Sequence, residues 1–372
     1  MKKLTLQEKQ KTADALLHRI NELHTPGERV RIMEVCGTHT VSIFREGLRQ
    51  LLPAGIELVS GPGCPVCVTD QVYMDKALEY AKRDDVIIAT FGDMLKVPGS
   101  YSSLSEAQTQ GAHIHIIYTP LEVLELSKQN PDKHIVFLAI GFETTIAVIG
   151  ATVKAVAQAD VKNVFFLVSH KLVPPALRAL LDRHIGQIDG FILPGHVSVI
   201  IGEKPYGFLP NEYKIPSCIA GFDGVEILSA IVNILEQRQS GQFKVGNTYH
   251  SVVMKEGNPV AVRVMNEVYD VCDDTWRGIG VIPSSGLTLN EAYSFLDAEK
   301  VLPIQLEKPS MDPKGCQCGS VLQGLIKPNE CPLFGKACTP DHAVGACMVS
   351  VEGSCAAWYK YGFSSGGLAW ED

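Results

Sequence analysis

The residues of this sequence best able to do chemistry are its 11 cysteines, most of which fall in two groups. Cys36, Cys64 and Cys67 lie in Gly/Pro-rich motifs near the start of the chain. Six more lie close to its end: Cys316, Cys318, Cys331, Cys338, Cys347 and Cys355. This division predicts one segment that holds a metal and one separate site with reactive thiols.

The start of the chain bears on the redox state of these thiols. No apolar stretch typical of a signal peptide follows Met1, and the polar segment 4–23 has the pattern of an amphipathic helix. We therefore expect the protein to be cytoplasmic. In that reducing compartment, clustered cysteines bind metals or do redox chemistry more often than they form structural disulfides.

The spacing of the C-terminal cysteines favours an iron–sulfur cluster. From Cys331 onward their neighbours are separated by six to eight residues, with no C-x-x-C pair among them. A zinc ribbon instead places its cysteine pairs two to four residues apart. Four of the six thiols can therefore hold a 4Fe-4S cluster, and a structural zinc is the alternative.

Length and composition limit the classes of function. With 372 residues, 46% of them hydrophobic, the chain can form two or three domains with substantial cores. The net charge of -8 and the lack of a Lys/Arg-rich run argue against a nucleic-acid partner. The one membrane-like stretch, 135–157, contains Glu143 and Lys154. We predict a buried strand, a sharp turn and a helix there, and no membrane span.

The middle of the chain looks like a divergent duplication of three units. Each unit has a short β-branched run, a Gly-containing turn and a helical pattern, which is typical of βα units in a parallel sheet. The units are 33–40, 58–68 and 86–95 in the first half, and 135–145, 191–199 and 215–228 in the second. The predicted fold is α/β, with two pseudo-symmetric parallel-sheet α/β lobes plus a C-terminal iron–sulfur domain.

Four domains are predicted from this pattern. They are an N-terminal helix (1–30), lobe 1 with the CGTH and GPGCPVC loops (31–125), lobe 2 with the GFETT and LPGH loops (126–228), and a third domain with the cysteine segment (229–372). Within the third domain, segment 227–239 has a helical pattern that begins just before the boundary. Segments 249–254 and 260–271 alternate like strands.

Loops that follow parallel strands meet at one edge of a sheet, where α/β proteins bind ligands. We therefore expect two sets of polar side chains to face each other across a cleft. Lobe 1 supplies Cys36, His39, Cys64, Cys67 and Asp93, and lobe 2 supplies Glu143, Thr144, His196 and Asp223. The competing interpretation is a packed core with polar turns that have no chemical role.

Within this cleft, the side chains have several predicted roles. Cys36 precedes a helical pattern whose free N–H groups favour a thiolate able to bind metal or act as a nucleophile. Cys64 and Cys67 form a Cys-X-X-Cys turn, which fits a redox dithiol or, alternatively, half of a zinc site. Glu143 and His196 are candidates for proton transfer or support of a metal ligand, and capping or turn roles are their alternatives.

Several long motifs, in order along essentially the whole chain, resemble the HypD family of hydrogenase maturation factors: EVCGTHT, SGPGCPVC, FGDM, GFETT, LPGHVS, WRGIGVIPSSGL, CPLFGKACTP and GACMVSVEGSCAAWYKYG. The resemblance implies a scaffold for building the Fe(CN)2CO group of NiFe hydrogenases, with HypC as the metal-carrying partner and HypE as the cyanide donor. It implies that Cys36 binds the iron that carries CN and CO. It also implies that Cys64 and Cys67 are a redox-active pair and that four C-terminal cysteines hold a 4Fe-4S cluster.

The predicted convergence of the loops, and not the resemblance, suggests roles for three further residues. His39, Glu143 and His196 would hydrogen-bond the cyanide nitrogens or donate protons. Cys218 and Cys272 have no cysteine partners nearby in the sequence, and we expect both to be structural.

Two hypotheses from other classes of function stay open. One is a stand-alone iron–sulfur oxidoreductase that reduces a protein disulfide through Cys64 and Cys67. The other is a zinc-stabilised binding module. No phosphate loop of the G-x-x-x-x-G-K-[ST] type is present, so the sequence argues against nucleotide hydrolysis by this chain.

Overall fold

A computed structural model describes residues 5–183 and 187–362 of the chain. The outer ends of the predicted N-terminal and third domains, 1–4 and 363–372, lie outside these described residues. The fold is α/β with mainly parallel strand pairing, as the sequence predicts. Among the helices in the described ranges, none has both the length and the apolar character needed to cross a membrane.

The strands of the described residues form two sheets. They are β1 (Val30–Glu34), β2 (Ile56–Ser60), β3 (Val86–Thr90), β4 (Ile114–Ile116), β5 (His134–Gly141), β6 (Val164–Lys171), β7 (Gly190–Pro194), β8 (Ser217–Ala220), β9 (Val245–Asn247), β10 (Tyr269–Trp276) and β11 (Gly280–Leu289). The first sheet has the order β2-β1-β7-β8-β9, and the second has the order β10-β11-β6-β5-β3-β4. Among these strands of the described residues, antiparallel pairing occurs only where β11 meets β10 and β6.

The helices connect these strands and cover the sheets. They are α1 (Leu6–Leu23), α2 (Gly37–Arg45), α3 (Leu48–Leu51), α4 (Pro65–Val68), α5 (Gln71–Ala81), α6 (Leu104–Thr109), α7 (Glu122–Gln129), α8 (Glu143–Gln158), α9 (Val173–Asp182), α10 (Gly195–Ile201), α11 (Phe208–Asn211), α12 (Gly224–Ser240), α13 (Pro259–Val268), α14 (Ala298–Val301), α15 (Cys318–Leu322) and α16 (Ser354–Tyr361). Short 3-10 helices lie at Gly92–Lys96, Lys204–Tyr206, Glu291–Leu296, Pro328–Glu330 and Ala346–Met348.

Each sheet combines strands from both predicted lobes. The first sheet takes β1 and β2 from segment 31–125, and β7 and β8 from segment 126–228. The second sheet takes β3 and β4 from the first of these segments, and β5 and β6 from the other. Parallel strands are joined by crossovers, so units adjacent in sequence need not share a sheet. The predicted boundaries stay a prediction about domains, but neither lobe has a sheet of its own.

The six predicted βα units all begin with a strand, and five continue into an α-helix. The exception is β3, which is followed by the 3-10 helix Gly92–Lys96. The predicted amphipathic helix is α1, which begins with a capping box between Thr5 and Glu8. Its buried residues Ile20 and Leu23 join an apolar core with α12.

The strand prediction for 249–254 is wrong, because this segment is turn and loop. The strand prediction for 260–271 is largely wrong. Most of this segment is α13, and only its end belongs to β10. The side chain of Asn258 accepts hydrogen bonds from the N–H groups of Val260 at 3.0 Å and Ala261 at 3.1 Å, and Pro259 occupies the first helical position. This Asn-Pro start signal prevails over the alternation of Val residues, because it satisfies N–H groups that a helix end leaves free.

The C-terminal segment packs on the loops that follow β1 and β2. Trp358 of α16 meets Phe44 of α2 edge to face, with ring centroids 5.1 Å apart. The 3-10 helix Ala346–Met348 contacts α4. One apolar core contains Cys64 and Cys67 together with C-terminal cysteines. The packing therefore brings both predicted cysteine groups to one place.

Candidate metal and thiol centre

Cys36 lies between β1 and α2, at the N-cap position of α2. Its backbone is extended, and its N–H donates to Glu34 Oε2 at 3.3 Å. The N–H of Gly37 donates to the carbonyl of Gly63 at 3.1 Å, in the loop that follows β2. Because β1 and β2 are neighbouring parallel strands, this bond places the Cys36 loop directly beside the loop that carries Cys64.

Burial determines the protonation state of Cys36. Burial, with a smaller contribution from the charge of Glu352, raises the pKa of the Cys36 thiol to about 12. The N–H groups of Thr38 and His39 lower this pKa, as expected at a helix N-terminus, but less strongly. Desolvation of the thiolate prevails because only 7% of Cys36 is exposed. The free thiol is therefore protonated near pH 7, and the expectation of a ready-made thiolate is wrong.

The ring of Phe222 lies between two histidines of the predicted cleft. Its centroid is 4.9 Å from that of His39 and 4.0 Å from that of His196. His39 is fully buried, and its Nε2 donates to the carbonyl of Gly221 at 2.8 Å. Burial lowers the pKa of His39 to about 4 and also lowers the pKa of His196, so both rings are neutral near pH 7.

Glu352, which the sequence analysis did not single out, completes this side of the site. Its Oε1 accepts a hydrogen bond from Thr38 Oγ1 at 2.7 Å. Gly37 approaches the Glu352 backbone so closely that a Cβ at position 37 would overlap it. The charge of Glu352 acts on both Cys36 and His196. Its signal in the sequence is an acid next to glycine in VEGSC.

Cys64 and Cys67 lie at the start of α4, where Pro65 fixes the first helical position. The N–H of Cys67 donates to Cys64 Sγ at 3.3 Å, and both residues are buried. Burial raises the pKa of Cys67 well above its usual value. The Cys67 thiol contacts the Cys347 thiol and points toward the carbonyl of Ala346 at 3.9 Å. The pair is thus linked directly to the C-terminal cysteines.

Four C-terminal cysteines form a connected group of thiols. Cys318 is central, since its thiol hydrogen-bonds those of Cys316, Cys347 and Cys355. The contact with Cys318, ahead of burial, raises the pKa of Cys316. Gly345 makes room for two of these sulfurs, because a Cβ there would lie 2.5 Å from Cys316 Sγ and 2.6 Å from Cys318 Sγ.

The other two C-terminal cysteines flank this group. The N–H of Val344 donates to Cys338 Sγ at 3.4 Å. Burial raises the pKa of Cys338, and Cys318 lies within electrostatic reach of it. Cys331 is half-buried and packs against the apolar core that contains Cys338. All six predicted cysteines therefore border one region.

Glu143 approaches the Cys36 side of the site through Tyr206. Its Oε1 accepts a hydrogen bond from the N–H of Val173 at 3.0 Å, and its buried Oε2 has no partner in the described part of the chain. Burial raises the pKa of Glu143 to about 7. The buried Tyr206 hydroxyl lies within electrostatic reach of both Glu143 and Cys36. Tyr206 carries no motif signal, and only the fold shows its position.

The remaining predicted cleft residues have other contacts. Asp223 caps the N-terminus of α12 and pairs with Lys9. Asp93 accepts a hydrogen bond from Ser350 Oγ at 2.9 Å, which ties the loop after β3 to the C-terminal segment. Thr144 is exposed on α8. Asp223 thus has the capping role that the sequence analysis gave as the alternative for residues in such loops.

The cysteines predicted to be structural lie within strands, Cys218 buried in β8 and Cys272 half-buried in β10. All 11 cysteines are free thiols. Over residues 5–183 and 187–362, no three His, Cys, Asp or Glu side chains are arranged to hold a single metal ion.

Comparison with known proteins relates this site to hydrogenase maturation. The HypD family model, described as "Hydrogenase formation hypA family", matches residues 11–362. The hydrogenase maturation factor HypD of Escherichia coli is 42% identical over 348 residues, covering 93% of each chain. A putative hydrogenase expression/formation protein of Methanocaldococcus jannaschii is 44% identical over 345 residues, covering 93% of this chain and 96% of its own. HypD of Rhodobacter capsulatus is 42% identical over 342 residues, covering 91% of each chain. The chain therefore belongs to the HypD family of hydrogenase maturation factors.

Proposed function

We propose that this chain is the cytoplasmic scaffold on which the Fe(CN)2CO group of NiFe hydrogenases is built, together with HypC and HypE. The observation that carries the proposal is the convergence of three segments far apart in sequence. Cys36 and the Cys64/Cys67 pair lie in adjacent loops, and the C-terminal thiols contact Cys67 through Cys347. A thiol that can anchor iron thus lies beside a dithiol and a set of cysteines suited to electron transfer.

Cys36 is the proposed ligand of the iron that is being modified, and that iron is substrate here. A thiolate is a soft, strongly donating ligand that suits low-spin iron(II) carrying CN and CO. Because the Cys36 pKa is about 12, iron must displace the thiol proton when it binds. Glu352 and His196 lie close enough to interact electrostatically with each other, so this proton has acceptors on the same side of the site.

The six C-terminal cysteines are the proposed holders of a 4Fe-4S cluster, through four of their thiols. Their chemistry fits the group, since they provide only sulfur donors, and Gly345 leaves space beside Cys316 and Cys318. A bound cluster would supply single electrons. Oxidation of the Cys64 and Cys67 thiols to a disulfide would release two electrons and two protons. The contact between Cys67 and Cys347 provides the connection between the two.

The structure refines the roles proposed for the polar residues. His39 donates through Nε2 to the Gly221 carbonyl, so its neutral ring presents Nδ1 only as an acceptor. Cyanide nitrogen is also an acceptor, and His39 therefore cannot donate to it in this tautomer. His196 is exposed, and within the described residues its ring nitrogens make no such bond, so we propose His196 as the donor. Glu143, with a pKa near 7, is the proposed proton carrier.

The test is anaerobic purification of the wild-type chain with HypC and HypE, followed by iron and sulfide analysis and infrared spectroscopy. We expect infrared bands of bound CO and cyanide in the wild type and their loss in Cys36→Ala, with cluster iron and sulfide unchanged. Cys272→Ala is the matched control, because Cys272 is a half-buried cysteine on β10. Full CN and CO bands in Cys36→Ala would contradict the proposal.

The same samples separate the alternatives. Reduction of a protein disulfide with turnover by the purified chain alone would favour the stand-alone oxidoreductase. A colourless protein with stoichiometric zinc would favour the zinc-stabilised binding module.

A further inference from the structure

Arg277 belongs to the WRGIG motif, to which the proposed function gives no role. It lies at the turn between β10 and β11 and is 5% exposed. Its backbone N–H donates to the carbonyl of Val68 at 2.9 Å, and its Nε donates to the carbonyl of Thr69 at 2.8 Å. Both acceptors directly follow Cys67. These two bonds fix the arginine to the end of the Cys-X-X-Cys turn.

The outer half of the guanidinium has no such partner. Nη1 and Nη2 of Arg277 are buried and make no hydrogen bond within the described residues. The ionisable groups that act on this guanidinium are, in order of strength, Cys318, Cys347, Asp70 and Asp312. A buried cation without acceptors costs several kcal/mol on general grounds, so an anion close to these N–H groups would remove a large penalty.

A cavity of about 220 Å³ adjoins these N–H groups. Arg277, Cys316, Cys318 and Asp312 are among its lining residues. Asp312 does not pair with the guanidinium, since no ion pair joins them among the described salt bridges. The thiols of Cys316 and Cys318 therefore line the same cavity as an unused cationic fork.

A purely structural role accounts for only part of these contacts. The two bonds to Val68 and Thr69 hold the turn in place, and close packing of Gly278 on Gly319 does the same from the other side. Neither contact needs the outer guanidinium nitrogens or a positive charge. A neutral glutamine would serve a hairpin turn at lower desolvation cost, so the buried, charged fork calls for a second role.

We propose that Arg277 is a positioning residue that stabilises the anionic state of the sulfur centre at Cys318 and Cys347 through its two free guanidinium N–H arms. Where that centre is a 4Fe-4S cluster, this inference rests on the proposed function. The N–H arms then donate to cysteinyl sulfur or sulfide, and their charge offsets the negative charge of the site. In the metal-free chain, the guanidinium acts on the Cys318 and Cys347 thiols through its charge.

The redox consequence has a definite sign. Reduction adds one electron and one negative charge to the cluster, and a nearby cation stabilises the reduced form more than the oxidised form. Loss of the cation therefore makes the reduction potential more negative. A tenfold change in the equilibrium constant of this one-electron couple corresponds to 59 mV, and we expect a shift of at least that size in Arg277→Met.

The experiment compares Arg277→Met and Arg277→Lys with wild type and a control. The control is Arg183→Met, because Arg183 donates to the carbonyls of Ile279 and Val281 in the same hairpin and has no hydrogen bond to a thiol within the described residues. Anaerobic redox titration followed by absorbance gives the cluster potential. In metal-stripped full-length chains, alkylation by neutral iodoacetamide at one fixed pH, mapped by mass spectrometry, gives the rate at each cysteine.

The expected result is a more negative potential and at least tenfold slower alkylation of Cys318 in Arg277→Met, with Cys36 alkylated at the wild-type rate. Arg277→Lys keeps the charge but loses the fork, so its shifts have the same sign and are smaller. Wild-type potential and Cys318 rate in both Arg277 variants would overturn the inference, as would equal shifts in Arg183→Met. If Arg277→Met does not fold, Arg277→Lys decides the matter by the same two readouts.

These readouts also separate the inference from the proposed function. A wild-type chain that holds no cluster would remove the proposed cofactor, while the alkylation rates of the metal-free chain would still test Arg277. A wild-type chain with a cluster whose potential does not depend on Arg277 would leave the proposed function standing and remove this inference.

Discussion

Substitution of Gly345 by alanine perturbs the C-terminal sulfur site without removing any cysteine. The added Cβ would lie 2.5 Å from Cys316 Sγ and 2.6 Å from Cys318 Sγ. Ordinary contacts between such atoms begin at roughly 3.5 Å, so each sulfur, or the backbone at position 345, must move by about 1 Å. Metal–ligand distances vary by only about 0.2 Å in well-formed sites. The displacement is thus several times larger than the tolerance of a bound cluster.

The cost to the fold should be much smaller than the cost to the site. Overpacking of this kind destabilises proteins by about 1–3 kcal/mol, which a chain of this size can tolerate. We expect Gly345→Ala to fold, with a urea midpoint slightly below that of the wild type. Its iron and sulfide content, and its absorbance after anaerobic reconstitution, should fall to a small fraction of the wild-type values.

Gly92→Ala is the matched control for this substitution. A Cβ at Gly92 has Ile116 Cγ2 as its nearest neighbour, at the ordinary contact distance of 3.8 Å. We expect wild-type stability and wild-type iron content in this variant. Wild-type cluster content in Gly345→Ala would refute the reasoning, because it would show that the sulfurs beside Gly345 do not hold the cluster in the arrangement described.

Two further predictions concern the acidic side chains of Glu143 and Glu352. Burial raises the pKa of Glu143 from 4.5 to about 7, so its neutral form stabilises the fold at low pH, and this contribution is lost as pH rises from 4.5 to 7. The shift corresponds to about 3 kcal/mol. In urea unfolding, the free energy of unfolding of the wild type should fall by that amount relative to Glu143→Gln over this pH range. The same pH dependence in both chains would contradict this prediction. The charge of Glu352 raises the pKa of Cys36, so Glu352→Gln should alkylate faster at Cys36 at fixed pH, with Cys272 unchanged as the internal reference. Equal Cys36 rates in both chains would show that this charge does not reach the thiol.

The local βα units could be predicted because each is encoded within about ten residues. The run Ile135 to Ala139 is buried strand, and the turn that follows starts α8 at Glu143, as the pattern indicates. The sheet assignment could not be predicted in the same way. Strand order depends on crossovers between distant segments, so β7 pairs with β1 although more than 150 residues separate them.

The chemistry of the candidate site could likewise be predicted only in part from the sequence. The sequence identifies Cys36, Cys64 and Cys67 because residue type and spacing carry the signal. It cannot give the protonation state of Cys36, which depends on burial beneath the C-terminal segment. Phe222 could not be selected either, since an isolated phenylalanine carries no chemical signal. Its position beside the two histidines becomes evident only in the folded sheet, where β7 lies between β1 and β8 and all three strands end at the same edge.

The high pKa of Cys36 suits the role proposed for it, in which the thiol stays unreactive until its metal arrives. A thiolate exposed at a helix N-terminus would react with oxidants and with any soft metal ion. A buried thiol with a pKa of about 12 avoids both, because it stays protonated until a cation supplies the energy to displace the proton. The close approach of Gly37 to Glu352 keeps the C-terminal segment over this thiol. The same packing that raises the pKa of Cys36 therefore protects the thiol. Under the proposed function, this packing also ties delivery of iron to movement of the covering segment or to entry beside it.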